Sequence, residues 1–339
     1  AASDVYKRQG IKHANKIAAT NWEIAQCTMS QEEYIKGIKT MDAHHMSGQN
    51  PDSEVTEIVQ GEFWSILGAL AFGLLTRTDI AVFVCALQRH TAKPKYIHCK
   101  RLNAIVRYAQ RNPRYITYKS RPWSDLTNGW DNVLDVPHTH LRIYSDSAFK
   151  AEESDGYSTR GALYLRCYGD IDSADKTTVG HLIEFVSRGQ KKVVRSTFKA
   201  EALGGIDAAN HGIVINTILH EITTGDVSAW SCCMLAEQGG FTVPTCLYLD
   251  AYSVYAAVVA TFIKTPADES TLANLKYLRE LLNTGVLTKL AWCDTRDMHA
   301  DGLTKGAVER IALDQILQGN VTVNQEMNCL LYTSPSPRD

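Results

Sequence analysis

The chain has 339 residues, of which 45% are hydrophobic and 21% are charged, and its formal net charge at pH 7 is −2. This length allows two domains of ordinary size, and the composition is typical of a globular protein and not of a disordered or fibrous one. No stretch is long and apolar enough to span a membrane, and a nearly neutral chain can bind nucleic acid only through local basic patches.

The two ends of the chain, Ala1–Gln9 and Cys329–Asp339, resemble translated adaptor DNA. Inverted copies of one string can encode AASDVYKRQ and CLLYTSPSPRD, and that string resembles the transposase end sequence of sequencing-library adaptors. A natural Ser/Pro-rich tail would explain one end but not the inverted relation between the two. We therefore exclude both ends from the fold and expect Gly10 and Asn328 to be cut points in a longer reading frame.

Residues 10–120 are predicted to be mainly helical. Ser30 is predicted to cap a helix, with Glu33 at the capping-box position. A helical apolar face is predicted at Phe63, Ile66, Leu67, Leu70 and Leu74, with Gly68 and Gly73 allowing close packing. Thr78 and Asp79 indicate a new helix start. A further apolar face is predicted at Leu102, Ile105, Val106 and Ala109.

No Asp or Glu occurs from Ile80 to Ser124, although cationic and tyrosine residues are frequent there. Lys and Arg side chains supported by aromatic rings are typical of a surface that contacts phosphates. A solvated helix face is the alternative interpretation. We assign nucleic-acid binding to Arg89, Lys93, Lys95, Lys100, Arg101, Arg107, Arg111 and Arg114.

Residues 121–139 are rich in Pro, Gly and Asn and are predicted to be an interdomain linker, followed by an α/β domain at 140–318. The patterns predict strands at His140–Ala148, Tyr157–Tyr168, Leu182–Ser187, Thr245–Leu249 and Val286–Trp292, with loops at Gly169–Gly180 and Gly225–Thr245. Helices are predicted from Ser196 to about His220, from Asp250 to about Ile263, at Glu269–Asn283 and from Ala300. We expect the first three strands to be antiparallel because their connections are short.

Four acids occupy positions where this layout places chemistry. Asp146 lies on the first strand, Asp250 follows the fourth, and Glu201 and Asp301 lie near helix starts. Strand ends and helix starts meet at one edge of an α/β sheet, and carboxylates gathered there need cations. Oxygen ligands suit Mg²⁺ or Mn²⁺, and two such ions can hydrolyse a phosphodiester. Any one of these acids alone could be an ordinary surface residue. The evidence for a metal site is the occurrence of all four at these positions.

The tracts that carry these acids resemble the ribonuclease H domain of copia-type LTR retrotransposons. YSDSAF resembles the family's YSDADWA, STFKAEALG its SSxEAEYIA, LYLDAYSV its LYCDNQSA, and HADGLTK its QLADILTK. Upstream, TMSQEEYI, TRTDIA and RYAQRNPRYITY resemble the C-terminal end of the same family's reverse transcriptase. The chain departs from these motifs at Thr78, Phe149, Lys199 and Ala251.

The resemblance implies a ribonuclease H-like mixed sheet with flanking helices, preceded by a mainly helical thumb or connection segment of reverse transcriptase. It implies an endonuclease that cuts the RNA strand of RNA–DNA hybrids with two Mg²⁺ (or Mn²⁺) ions, and the remainder of the Pol polyprotein as a partner. Asp146 would bridge both ions, Asp301 would help hold the ion that activates water, and Glu201 and Asp250 would hold the ion at the leaving group. No YxDD motif occurs, so we expect no polymerase activity from this chain.

Two other functions stay open at this point: a non-catalytic nucleic-acid-binding relic, and an unrelated cytosolic enzyme whose acids fall here by accident. Nine cysteines without a paired framework favour a reducing, cytoplasmic location, with virus-like particles or the nucleus as alternatives. His299 precedes Asp301 by two residues and is interpreted as a solvated loop histidine, with a proton shuttle as the alternative.

Overall fold

The computed structural model describes residues 11–17, 24–119, 139–149, 158–172, 176–226, 228–263, 266 and 269–324. Both adaptor-like ends, and all but the last residue of the linker predicted at 121–139, lie outside the described residues. The chain divides into two compact units, Ala1–Asp131 with Glu309–Gly319 and Asn132–Val308 with Asn320–Asp339. We call them the first and the second unit and describe each by itself.

The first unit combines helices with a small sheet. Its elements up to residue 119 are β1 (Lys12–Ile17), β2 (Ile24–Ser30), α1 (Glu32–Gly37), α2 (Ala43–Met46), α3 (Glu57–Gly73), a 3-10 turn (Thr78–Ile80), α4 (Ala81–Gln88), α5 (Tyr96–Arg111) and β3 (Tyr115–Lys119). The apolar faces predicted for α3 and α5 are buried in one core, apart from the partly buried Leu74. Gly73 allows close packing as predicted, because a Cβ there would lie 2.6 Å from Ile35 Cδ1. Gly68 does not, since nothing lies within 4 Å of its Cβ position.

The expectation of a mainly helical first block missed its sheet. Strands β1, β2 and β3 pair antiparallel with β2 in the centre, and β2 and β3 are joined through residues far apart in sequence, such as Cys27 and Tyr118. The predicted helix cap is also wrong. Ser30 ends β2, and the helix begins at Glu32, whose backbone N–H donates to Ser30 Oγ at 3.1 Å.

The two charged residues of the TRTDIA tract, Arg77 and Asp79, are buried and hold the first unit together. Arg77 and Asp79 form a two-bond ion pair, with Nε to Oδ1 and Nη2 to Oδ2 both at 2.8 Å, and both side chains are buried. Arg77 Nη1 also donates to the Ala109 carbonyl of α5 at 2.7 Å. The pair therefore fixes the start of α4 against the end of α5, and this motif is structural in the first unit.

The second unit is a mixed α/β layer structure. Its elements up to residue 304 are β4 (Thr139–Ala148), β5 (Thr159–Tyr168), β6 (Thr177–Gly189), α6 (Thr197–Thr224), α7 (Ala229–Gln238), β7 (Thr245–Leu249), α8 (Tyr252–Val259), α9 (Glu269–Asn283), β8 (Lys289–Trp292), a 3-10 turn (Thr295–Asp297) and α10 (Asp301–Thr304). Two predicted loops are shorter than expected. Strand β6 begins at Thr177, inside the predicted Gly169–Gly180 loop, and α7 occupies the middle of the predicted Gly225–Thr245 loop.

The six strands of the second unit lie in the order β8-β7-β4-β5-β6-β9, where β9 is Asn320–Thr322. The antiparallel β4-β5-β6 meander confirms the prediction for the first three strands. Strands β4 and β7 are parallel neighbours, and Ser145 pairs with Leu249. The residues that follow them, Asp146 and Asp250, are therefore adjacent at the same end of the sheet.

Helix α6 lies close against the centre of this sheet. Gly212 of this helix lies against Ile143 on β4, and Gly205 lies against Leu249 on β7. A Cβ at Gly204 would collide with Ser147 Oγ on β4, so glycine permits this approach. Glu201 lies one turn earlier in the same helix, and the close packing brings its side chain to the strand that carries Asp146.

Residues 309–319 group with the first unit, whereas the predicted α/β domain, 140–318, includes residues 309–318. They contain the last helix, α11 (Ile311–Leu317). Arg114 Nε lies 2.8 Å from Asp314 Oδ1, and the Arg310 guanidinium lies over the Phe83 ring at 5.2 Å. These contacts join α11 to residues of the first unit. No helix in the described ranges of either unit has the length and apolar character needed to cross a bilayer.

Candidate metal centre

Three of the four predicted acids meet in space. One carboxylate oxygen from each of Asp146, Glu201 and Asp250 lies within 4.8 Å of the other two. Two adjacent parallel strands supply the aspartates, and the second turn of α6 supplies the glutamate. We call these three residues the acidic triad. Three carboxylates at this spacing are a set of oxygen ligands for a divalent cation.

Burial and mutual repulsion act together on the acidic triad. Asp146 and Glu201 are only 1% and 6% exposed. Burial, followed by the charges of Asp146 and Asp250, raises the pKa of Glu201 to about 9. Burial and then the Asp146 charge also raise the pKa of Asp250. Full ionisation of the triad therefore requires added positive charge at this position.

Asp301 lies beside the triad but not within it. It begins α10, and its carboxylate is joined to that of Asp146 through Lys305. The ammonium Nζ lies 2.7 Å from Asp301 Oδ1 and 3.3 Å from Asp146 Oδ1. Burial and the Asp146 charge raise the pKa of Asp301 to about 6, while Lys305 acts in the opposite direction. The predicted set of four carboxylates is thus a triad with a fourth acid held next to it by a lysine.

The side chains around the triad fix its orientation. Thr304 Oγ1 donates a hydrogen bond to Asp146 Oδ2, and the Ser147 backbone N–H donates to Glu201. Trp292 Nε1 donates to the Asp250 carbonyl at 2.9 Å. The sequence analysis missed Thr304 and Lys305, although both belong to the HADGLTK tract that led to Asp301.

A glycine lets α10 approach the sheet. Gly161 on β5 pairs directly with Asp146 on β4. A Cβ at Gly161 would lie 2.8 Å from Thr304 Cγ2 and 2.9 Å from Leu303 Cβ. Only glycine therefore leaves room for α10, which carries Asp301 and Thr304, to lie against this part of the sheet.

His299 is neither the solvated loop histidine that we expected nor a shuttle with access to solvent. Its side chain is buried, and its ring centroid lies 4.7 Å from that of Tyr144 on β4. Burial lowers the pKa of His299 to about 4, so the imidazole is neutral at pH 7. His299 packs beneath the site as part of the core.

The cationic residues assigned to nucleic-acid binding divide into two groups. Six are exposed, and we call them the basic surface of the first unit: Lys93, Lys95, Lys100, Arg101, Arg107 and Arg111. Of these, Lys93 also lies 3.9 Å from Glu54, which is itself exposed. Arg89 is only partly exposed, and Arg114 is ion-paired with Asp314, so its charge is already compensated within the unit. Of the tyrosines in this span, Tyr108 and Tyr115 are exposed, whereas Tyr96 is in the core.

Comparisons of the chain with models of protein families, with curated proteins and with solved structures found no match. The chemistry of the candidate metal centre therefore rests on the acidic triad, on Lys305 beside it and on the hydrogen bond that Thr304 donates to Asp146.

Proposed function

We propose that the second unit is a ribonuclease H-type endonuclease, which cleaves the RNA strand of RNA–DNA hybrids by metal-dependent phosphodiester hydrolysis within a retrotransposon Pol polyprotein. The observation that carries the proposal is the convergence of Asp146, Glu201 and Asp250 on one point at the end of two parallel strands. The order of the motifs along the chain supports the same proposal, since each acid lies in a tract that resembles the corresponding ribonuclease H motif.

The residues of the centre fit divalent magnesium or manganese. All the side-chain ligands offered are carboxylate oxygens, which hard cations prefer. Burial and then the neighbouring charges of Asp146 and Asp250 raise the pKa of Glu201, and a bound cation would offset both effects. The acidic triad would hold one ion, and Asp146 with Asp301 would hold a second. Two bound ions supply an activated water and charge stabilisation at the leaving oxygen of a phosphodiester.

The chain itself contributes pre-organisation. Asp146 and Asp250 are fixed by the pairing of β4 with β7, and Glu201 is fixed by the packing of α6 at Gly204. Hydrogen bonds from Thr304 and from the Ser147 backbone hold the carboxylates of Asp146 and Glu201. Ligands on strands and helices keep their geometry better than ligands on loops, and metal-dependent cleavage of a phosphodiester requires a precise geometry.

Substrate binding is proposed for the basic surface. Its six exposed cations would neutralise phosphates without reading sequence, as expected for a nuclease that acts on any hybrid. Selection of the RNA strand would depend on the 2′-hydroxyl, the group that distinguishes RNA from DNA at a cleavage site. The basic surface would bind nucleic acid whether or not the acidic triad holds a metal ion, so it also supports a second candidate, a nucleic-acid-binding relic without cleavage.

Cleavage of a labelled hybrid by the parent separates the two candidates, and its loss in Asp146→Asn tests the site. This change is nearly isosteric and removes the charge at the centre of the site, so we expect the cleavage rate to fall by about 100-fold or more in Mg²⁺. Binding of hybrid should stay close to that of the parent.

The matched control is Asp172→Asn. Asp172 is also paired with a lysine, Lys289, at 2.6 Å, but it is largely exposed and lies outside the triad. We expect this variant to cleave hybrid like the parent. If the parent binds hybrid but cuts nothing in Mg²⁺ or Mn²⁺, the relic replaces the nuclease; if Asp146→Asn cuts as fast as the parent, the site is wrongly assigned.

A further inference from the structure

Lys305 lies where a second cation would be expected. It directly follows α10, and its ammonium touches one oxygen of Asp146 and one of Asp301, at 3.3 and 2.7 Å. We propose that Lys305 is an internal counter-ion, which occupies the position between Asp146 and Asp301 in the metal-free protein and must leave before a second divalent ion can bind there. This inference rests on the proposed function, because it concerns the same centre.

The distances make the two cations mutually exclusive. A Mg²⁺ ion held by Asp146 and Asp301 would lie about 2.1 Å from an oxygen of each carboxylate. The ammonium already contacts the Oδ1 atoms of both, so it would lie almost on top of that ion. The remaining oxygen of Asp146, Oδ2, accepts the hydrogen bond of Thr304. A second ion therefore has to take the place of the ammonium.

The electrostatics explain why a lysine occupies this position. Asp146 is buried, and Asp301 and Asp250 are partly buried, so the carboxylates cannot all be charged without a nearby cation. The Lys305 charge lowers the pKa of Glu201, Asp250 and Asp301 relative to burial alone. In the metal-free protein, the one ammonium group thus offsets part of the negative charge of all four acids.

The side chain is also able to leave. The side chain is 36% exposed, and its four-carbon stem allows the ammonium to move toward solvent without a change in the backbone. The position between Asp146 and Asp301 is the one that the ammonium occupies, at 3.3 and 2.7 Å from their Oδ1 atoms, so an ion that binds there has to compete with it. Metal binding should therefore be stepwise, with a tighter ion at the triad and a weaker ion that displaces the lysine.

The test is a Mn²⁺ titration without nucleic acid, followed by isothermal calorimetry and by electron paramagnetic resonance of free Mn²⁺. The parent is compared with Lys305→Met, Lys305→Arg and the control Lys289→Met, which removes a lysine paired with Asp172 away from the centre. We expect Lys305→Met to bind the second ion at least about tenfold more tightly, because no cation competes. Lys305→Arg and Lys289→Met should bind it no more tightly than the parent.

A second readout separates displacement from a general change of field. In ¹H–¹⁵N spectra of lysine ammonium groups, the Lys305 signal is identified by its loss in Lys305→Arg. We expect this signal to persist with one equivalent of Mg²⁺ and to shift to the position of solvated lysines with the second equivalent. If it stays unchanged at two equivalents while two ions are bound, the counter-ion role is wrong.

The outcomes distinguish this inference from the proposed function. If the parent binds two ions and Lys305→Met gives the same second binding constant, the inference fails while the metal centre stands. If no protein binds Mn²⁺ at all, the centre itself is wrong and the inference fails with it. Should Lys305→Met be unfolded without metal by circular dichroism, the ammonium spectra of the parent decide the question.

Discussion

Replacement of Glu201 by Gln should change how the stability of the metal-free protein responds to pH. The pKa of Glu201 is raised from 4.5 to about 9 in the folded state, so the folded chain keeps a proton that the unfolded chain loses above pH 4.5. Stability from this group is therefore fully present below pH 4.5 and is lost as pH rises toward 9. One pKa unit corresponds to about 1.4 kcal/mol, so the loss between pH 5 and pH 7 is about 3 kcal/mol. Glu201→Gln cannot ionise and should lack this loss.

The assay is urea unfolding in EDTA at several pH values between 5 and 8. The free energy of unfolding of the parent should fall relative to that of Glu201→Gln by about 3 kcal/mol from pH 5 to pH 7. The control Glu237→Gln removes an exposed glutamate on α7 and should follow the parent. Saturating Mg²⁺ should abolish or reverse the pH trend of the parent, because an ion binds the ionised carboxylates. A parent whose stability in EDTA falls no faster than that of Glu201→Gln would refute the burial of this carboxylate beside two others.

Three further changes test other parts of the structure. Gly161→Ala should cost about 1–3 kcal/mol of stability in thermal melts and lower the cleavage rate, because the added methyl group meets Thr304 and Leu303 of α10. The control Gly68→Ala has open space at its Cβ and should be neutral or stabilising. If the two variants had equal melting temperatures, the packing of α10 at Gly161 would be contradicted. Replacement of Lys100, Arg101 and Arg107 by Gln should lower the affinity for hybrid and reduce the slope of log K against log salt concentration by about 2–3, as measured by fluorescence anisotropy. The control Lys39→Gln removes another exposed lysine, and an unchanged slope in the triple variant would exclude phosphate contacts by these three residues. Arg77→Met should destabilise the first unit by about 3–5 kcal/mol in urea unfolding, because it leaves Asp79 buried and unpaired, and a loss below about 1 kcal/mol would argue against the buried ion pair.

The part of the site that the sequence predicted is the part that depends on local structure. Asp146 and Asp250 follow from the strand patterns that place each of them at a strand end, although the pairing of β4 with β7 that brings them together joins residues as distant as Ser145 and Leu249. Glu201 follows from the cap at Ser196, whose Oγ accepts from the Lys199 backbone N–H and so sets the start of α6. Lys305 could not be predicted in the same way, since its contact with Asp146 depends on the packing of α10 across Gly161.

The misses in the fold have a similar physical origin. The described residues of β1 carry exposed side chains, so no alternation of apolar and polar residues marks it as a strand. Its partner β2 also pairs with β3, at residues 115–119, which lie almost ninety positions later in the chain. No local sequence pattern predicts such a pairing. Helix α7 has no buried residue, so it lacks the apolar face by which surface helices are usually recognised.

The placement of residues 309–319 with the first unit has a consequence for how the chain can be divided. The backbone passes between the units at 131–132, at 308–309 and at 319–320. A single proteolytic nick in the predicted linker would therefore leave two covalent tethers and would not release either unit. A truncated chain that ends at residue 308 would lose α11 from the first unit and β9 from the second. Neither unit can therefore be produced whole by a single cut in the chain.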